Sequence, residues 1–219
     1  MPVRVRYEKE LNNVLDNLVV MCRHIEISIE KCIKALMEQD FELAREVHEV
    51  EKLMDVMERE IEHECLRILL MEQPVADDFN AVAAALKMIT DLERISDQAR
   101  DIADITIRLG KLEYVERPEH IPKMAVIVIQ MVKDSVQAYI NHDLALARSL
   151  NKTDDKADEL FRVIMSNLAV FIKNRPDYAE QAIMFMMITK YLERIGDHAV
   201  NIGEWAEYAM TGSHPRKKS

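Results

Sequence analysis

Carboxylates spaced four residues apart are the side chains of this sequence best placed to do chemistry, and they occur in two copies. Residues 92–104 read LERISDQARDIAD and residues 192–204 read LERIGDHAVNIGE, identical at seven of thirteen positions. A helix turns about 100° per residue, so Glu93, Asp97, Asp101 and Asp104 point to about 0°, 40°, 80° and 20° around its axis. Leu92, Ile95, Ala99 and Ile102 fall at about 180–260° and form the opposite, apolar face. The second copy sets Glu193, Asp197, Asn201 and Glu204 against Leu192, Ile195, Ala199 and Ile202. Carboxylates stacked along one face repel one another unless a cation or a basic partner sits among them. Arg100, at about −20°, supplies one in the first copy. Val200 takes its place in the second, so a local ion pair explains only one of the two stripes.

A second set with the same spacing precedes each copy. Glu51 and Asp55 are extended by Glu58 and Glu62, all within a sector of about 60°. Asp154 and Asp158 follow the same pattern, but Phe161 and Met165 replace the later carboxylates. Placed side by side, such helices present at least four oxygen ligands across one groove, a set suited to Mg²⁺, Mn²⁺ or iron. An acidic helix face is more often a solvated surface. Recurrence on two helices of both halves favours the ligand reading, although duplication would also copy a solvated stripe.

Other candidates carry less. His198 points about 100° beyond Asp197, toward a bundle flank, and reads as packing. Glu60-x-x-His63 is a single E-x-x-H, where a ferritin-like di-iron centre needs two and two further Glu. Gly196, opposite Ser96 in the repeat, sits inside a helix at a cost of about 1 kcal/mol relative to Ala, which a close approach would justify. Cys65, the methionines and Trp205 read as core. The sequence contains no G-x-x-x-x-G-K-S/T, G-x-S-x-G or H-E-x-x-H, so no enzyme activity is expected.

Composition narrows the class further. A formal net charge of −10 argues against phosphate-backbone binding, so no nucleic-acid partner is expected. Cys22, Cys32 and Cys65 are odd in number and form no C-x-x-C, which fits a reducing cytosol. The N-terminal MPVRVRYEKELNN lacks an apolar leader, and the longest apolar run, 182–188, is far short of the roughly 18 residues that span a bilayer. A cytoplasmic protein without a transmembrane segment is expected.

The elements that position the carboxylates follow from apolar spacing. With only four Gly and six Pro, the chain reads as all-α. Helices are expected over 7–37, 41–71 (capped by Asp40, ended by Pro74), 76–109 (stopped at Gly110), 121–141, 144–174 (capped by Asp143) and from after Pro176 to about 210, ending at Gly212. QDFELAR at 39–45 matches HDLALAR at 142–148. Three long helices with one apolar stripe each bury it by packing together, giving two tandem antiparallel three-helix bundles, 1–112 and 113–219, with a shared core. Residues 111–122 read as the linker and SHPRKKS as a short basic tail.

With DLERISD at 91–97, YLERIGDHAVNIGE at 191–204, the acidic pairs on the preceding helices and the two-half layout, the sequence resembles the PhoU family of phosphate-transport accessory proteins. The likeness covers nearly the whole chain. It implies two three-helix bundles whose surface pairs hold multinuclear metal: Glu51 and Asp55 with Glu93 and Asp97, then Asp154 and Asp158 with Glu193 and Asp197. It also implies a regulator without catalysis that contacts the ATPase subunit of a phosphate ABC transporter and a sensor histidine kinase, and represses the phosphate-starvation response when phosphate is plentiful. Arg100, Asn201 in place of an Asp, and Ser96 in place of Gly depart from an even repeat, so the two sites are expected to differ.

Three functions compete: a cytoplasmic adaptor, peripheral to the membrane through its partners, holding Fe, Mn, Mg or Zn; the same adaptor using its acidic stripes for protein contact without metal; and a carboxylate-bridged metalloenzyme, disfavoured because no general base accompanies the carboxylates. Pairing of long amphipathic helices makes a homodimer the expected state.

Overall fold

The computed structural model describes residues 3–110, 114 and 119–214. Those residues form α1 (Val3–Glu38), α2 (Phe41–Glu72), α3 (Asp77–Leu109), α4 (Ile121–Ile140), α5 (Leu144–Asn174) and α6 (Ala179–Thr211), with a 3₁₀ turn at Pro176–Tyr178 before α6. The linker expected at 111–122 and the tail expected at 213–219 fall largely outside the described residues.

Turn chemistry fixes the helix ends as the sequence implied. The Asp40 and Asp143 carboxylates accept from the Leu43 and Leu146 amides at 3.0 and 2.9 Å, each cap stabilising by about 1 kcal/mol. The residues before them, Gln39 and His142, both take left-handed φ, 57° and 51°, so the duplicated heptapeptide encodes a duplicated turn. Helix α2 stops before Pro74, and α6 ends at Gly212, whose φ of 69° is the left-handed conformation expected of a terminal glycine. Gly110 departs from expectation. Its φ is −59°, and its role is steric, because a Cβ there would lie 2.2 Å from the Phe41 ring.

Helices α3 and α6, which carry the repeated motif, form the centre. They run antiparallel: Asp91 meets His198 and Asn201, while Asn80 lies by Gly212. Residues rise along one helix as they fall along the other. Helices α1 and α2 pack on α3, and α4 and α5 pack on α6. One apolar cluster runs through both halves, including Leu18, Ile25, Leu92, Ile95, Leu192 and Ile195. The shared core is therefore real, and the two bundles are one packed body.

Side-chain hydrogen bonds also join the halves. The Tyr139 hydroxyl donates to the Ala81 carbonyl at 2.7 Å, tying α4 to the start of α3. All three cysteines are buried and free, and burial pushes the Cys32 and Cys65 thiols up to about 12, which leaves them as unreactive core filler. Trp205 differs from its expected core placement. It is only partly buried, lying edge-on to Tyr208 and His214 at 5.7 and 4.1 Å between ring centres.

Candidate functional site

Each outer groove, α2 against α3 and α5 against α6, brings two sets of carboxylates face to face. In the first, Glu93 is only partly buried, yet burial and then Asp97, Glu58 and Asp55 push its carboxyl up, against the pull of Arg94. Glu58 is raised by burial and by Glu62 and Asp55, and lowered by the charge of Arg94 and a hydrogen bond with Thr90, both of α3. Side chains of both helices thus feel one another's charge across the groove. In the second, burial followed by Asp158, Asp197 and Glu193 pushes Asp154 up to about 6. Asp197 keeps an exposed rim, but desolvation of its inner side, followed by Glu193 and Asp158, raises it too. Asp55 and Asp97, and Asp158 and Asp197, therefore lie on common sides of their bundles.

The two grooves hold their cations differently. Arg100 Nη1 is 2.5 Å from Glu51 and 3.1 Å from Asp97, and its Nη2 is 3.2 Å from Asp101. One guanidinium thus bridges three carboxylates and closes one end of the first groove. Arg94 lies 3.2 Å from Asp97 and 3.4 Å from Glu93 at the rim. In the second groove the cation is Lys190, 2.5 Å from Glu193 and lying over the Phe161 ring at 5.6 Å. Its repeat position is occupied by Thr90, just as Phe161 replaces Glu58.

Two of the expected ligands lie on the α3–α6 seam. Asn201 donates to Asp91 at 3.3 Å. Asp101 is held by Arg100 and sits beside Tyr191 of α6, where burial and then that carboxylate raise the phenol pKa. Asp91–Asn201 and Tyr191–Asp101 are repeat-related contacts made in opposite directions. His198 is not mere packing: its Nδ1 is 2.7 Å from Asp91. Helical-wheel reasoning on one half had no access to these partners, because they come from the other half. Asp104 of α3 pairs with His48 of α2 at 3.1 Å.

Among the described residues, no three His, Cys, Asp or Glu side chains are gathered closely enough to hold an ion as they stand. The residues nevertheless fit a hard cation in kind. The donors are all oxygen. At Gly196 a Cβ would come within 3.3 Å of Asp154 Oδ1, so the absent side chain leaves Asp154 room beside α6. Ser96, at the matching position of α3, has a buried hydroxyl without a hydrogen-bond partner.

The fold and site define an all-α protein duplicated about an antiparallel helix pair, with an acidic groove in each half. The family model for the PhoU domain matches it twice, over residues 18–106 and 121–206, and the chain belongs to the PhoU family. A phosphate-specific transport system accessory protein PhoU homolog from Clostridium acetobutylicum is 34% identical over 207 residues, covering 94% of each chain. The crystal structure of PhoU from Pseudomonas aeruginosa superposes with a TM-score of 0.90 at 30% identity, over 94% of this chain and 100% of that one. The PhoU structure from Streptococcus pneumoniae, at 22% identity, shares the fold with a TM-score of 0.87 over 96% and 99% of the two chains.

Proposed function

We propose that this protein is a phosphate-transport accessory and regulatory adaptor that binds metal in its two acidic grooves. The observation that carries the metal step is the facing of Asp55 and Glu58 with Glu93 and Asp97, and of Asp154 and Asp158 with Glu193 and Asp197. Crowded carboxylates lower their mutual repulsion by sharing a cation. An ion so held keeps coordination positions open to solvent, where phosphate oxygens or a partner's side chain bind. Family membership, and the transport-accessory names borne by relatives of nearly equal length, support the phosphate role. The partners proposed are the ATPase subunit of a phosphate ABC transporter and a sensor histidine kinase, engaged at the cytoplasmic face, with the adaptor acting as a homodimer and repressing uptake when phosphate is plentiful. No described helix is long and apolar enough to cross a membrane, so attachment there would run through partners.

Deletion in the native host, followed by a phosphate-starvation reporter in high phosphate, tests the regulatory role. Derepression that is reversed by the wild-type chain supports it, and an unchanged reporter refutes it. A contact-only adaptor remains the competing reading, because Arg100 shows that these stripes accept a guanidinium. For that reading, Asp97→Ala with Asp197→Ala weakens partner capture equally with and without chelator.

A further inference from the structure

The turn between α2 and α3 exposes apolar side chains that the fold does not require. Leu70 and Met71 in the last turn of α2, Val75 in the connection and Phe79 in the first turn of α3 are 75%, 65%, 76% and 46% exposed. Large apolar side chains gathered in water at one tip mark a contact surface. The repeat supplies the control. Counted along the helices, Lys173, Asn174 and Ala179 stand where Leu70, Met71 and Phe79 stand, and Asp177 follows Pro176 as Val75 follows Pro74. Val170, Ile183 and Met187, the exposed apolar residues nearest that second turn, lie deeper in their helices. A hairpin of the same plan thus closes with a polar tip in one half and an apolar tip in the other.

Charge at this end departs from that of the whole chain. The Tyr7 hydroxyl donates to the Asp78 carbonyl at 3.0 Å, which brings the start of α1 to the tip. Arg4 pairs with Asp78 at 2.6 Å and Arg6 pairs with Glu72, so two of the tip's acids are neutralised where they stand. The end of α6 arrives at the same place, with Gly212 beside Asn80. Beyond His214 the sequence continues Pro215, Arg216, Lys217, Lys218. Arg4, Arg6, Arg216, Lys217 and Lys218 therefore belong to the end that carries the apolar tip, in a chain of net charge −10. We infer that this end rests on an anionic lipid surface, with Leu70, Met71, Val75 and Phe79 entering the headgroup layer and the basic tail meeting lipid phosphates. Apolar side chains flanked by Lys and Arg bind such a surface through buried area and electrostatic attraction together. A second copy of the chain fits less well: like-charged tails would meet, and so small a tip falls short of the roughly 20–30 residues a side that a stable protein interface buries. No described helix need cross the bilayer. The contact adds to attachment through partners, and it is independent of the metal reading because no groove carboxylate takes part.

Co-sedimentation of the full chain with lipid vesicles, in EDTA so that no metal ion bridges its acidic grooves to lipid, tests this. Binding to vesicles of phosphatidylglycerol and phosphatidylcholine in equal parts is expected, weakened by salt, with little binding to phosphatidylcholine alone. Leu70→Ser with Val75→Ser lowers the affinity about tenfold or more. Arg216→Gln, Lys217→Gln and Lys218→Gln together lower it on the order of a hundredfold. Ile183→Ser, at an exposed apolar position of the second half, leaves it unchanged. Circular dichroism of each variant separates loss of binding from loss of fold. Absence of vesicle binding by the wild-type chain, or binding that is indifferent to both the tip and the tail substitutions, overturns the inference and leaves the metal reading intact. Loss of self-association in the tip variant with vesicle binding unchanged also overturns it, and assigns the tip to a second copy.

Discussion

His198 Nδ1 lies 2.7 Å from the Asp91 carboxylate, joining α6 to α3 across the seam between the two halves. Asn201 donates to the same carboxylate, so Asp91 gathers two side chains from the opposite repeat. Asp91→Ala strands both donors in a partly buried site, and a destabilisation of about 1–3 kcal/mol is expected. Urea unfolding checks it. The midpoint falls while a single transition is retained, because the halves share one core and do not unfold separately.

Two glycines of α6 separate a ligand crevice from a packing contact. At Gly203 a Cβ would meet the buried Leu150 side chain at 2.2 Å, so Gly203→Ala overpacks the core and costs about 1–3 kcal/mol. At Gly196 the nearest atom is Asp154 Oδ1 at 3.3 Å, the end of a side chain able to turn aside. The helix-propensity gain of about 1 kcal/mol then offsets the contact, and Gly196→Ala is near neutral in thermal unfolding. Metal binding by the second groove is expected to weaken in the same variant, because the displaced oxygen belongs to a proposed ligand.

The pH dependence of the metal-free protein follows from Asp154. Its folded pKa of about 6 stands above the ordinary 3.8, so between those values the folded state holds a proton that the unfolded state has released. Stability from this group therefore falls as pH rises from about 4 through 6 and is lowest above that range. Asp154→Asn removes the dependence. Relative to wild type it is more stable at pH 7 and gains little at pH 4, as read by denaturant midpoints at both values.

The seam also links Arg100 to the second half, through Asp101 beside Tyr191. Tyr191→Phe removes one end of that chain without touching the groove carboxylates. A lower midpoint in denaturant with unchanged Mn²⁺ affinity is expected. A change in affinity would mean that the seam transmits to the ion.

Much of this architecture could be read from local signals. The periodicity of Leu92, Ile95, Ala99 and Ile102 fixes the inward face of α3. Asp40 and Asp143 announce the second helix of each half, and Pro74 and Pro176 separate it from the third. The facing of the acidic pairs followed from the repeat, since only adjacent second and third helices bring Asp158 toward Asp197. The seam was not legible. Asn201 and Asp101 look like continuations of an acidic stripe on a helical wheel, and only the antiparallel docking of α3 on α6 gives them Asp91 and Tyr191 as neighbours. Lys190 was missed for a related reason: it lies before the repeated motif, and its contact with Phe161 depends on an aromatic residue at the repeat position of Glu58 in another helix. Gly110 misled because a glycine after a helix usually takes positive φ, whereas here the Phe41 ring excludes a side chain.

The central claim is that the facing carboxylates of each half grip a metal ion. Elemental analysis of chelator-free protein, combined with Mn²⁺ titration of the wild type and of the Asp97→Ala, Asp197→Ala variant, tests it most directly. Stoichiometric metal or saturable binding in the wild type, lost in a variant with an unchanged helical spectrum, is the predicted result. Protein that carries no Fe, Mn, Mg or Zn and takes up no Mn²⁺, or a variant that binds as the wild type does, would contradict it.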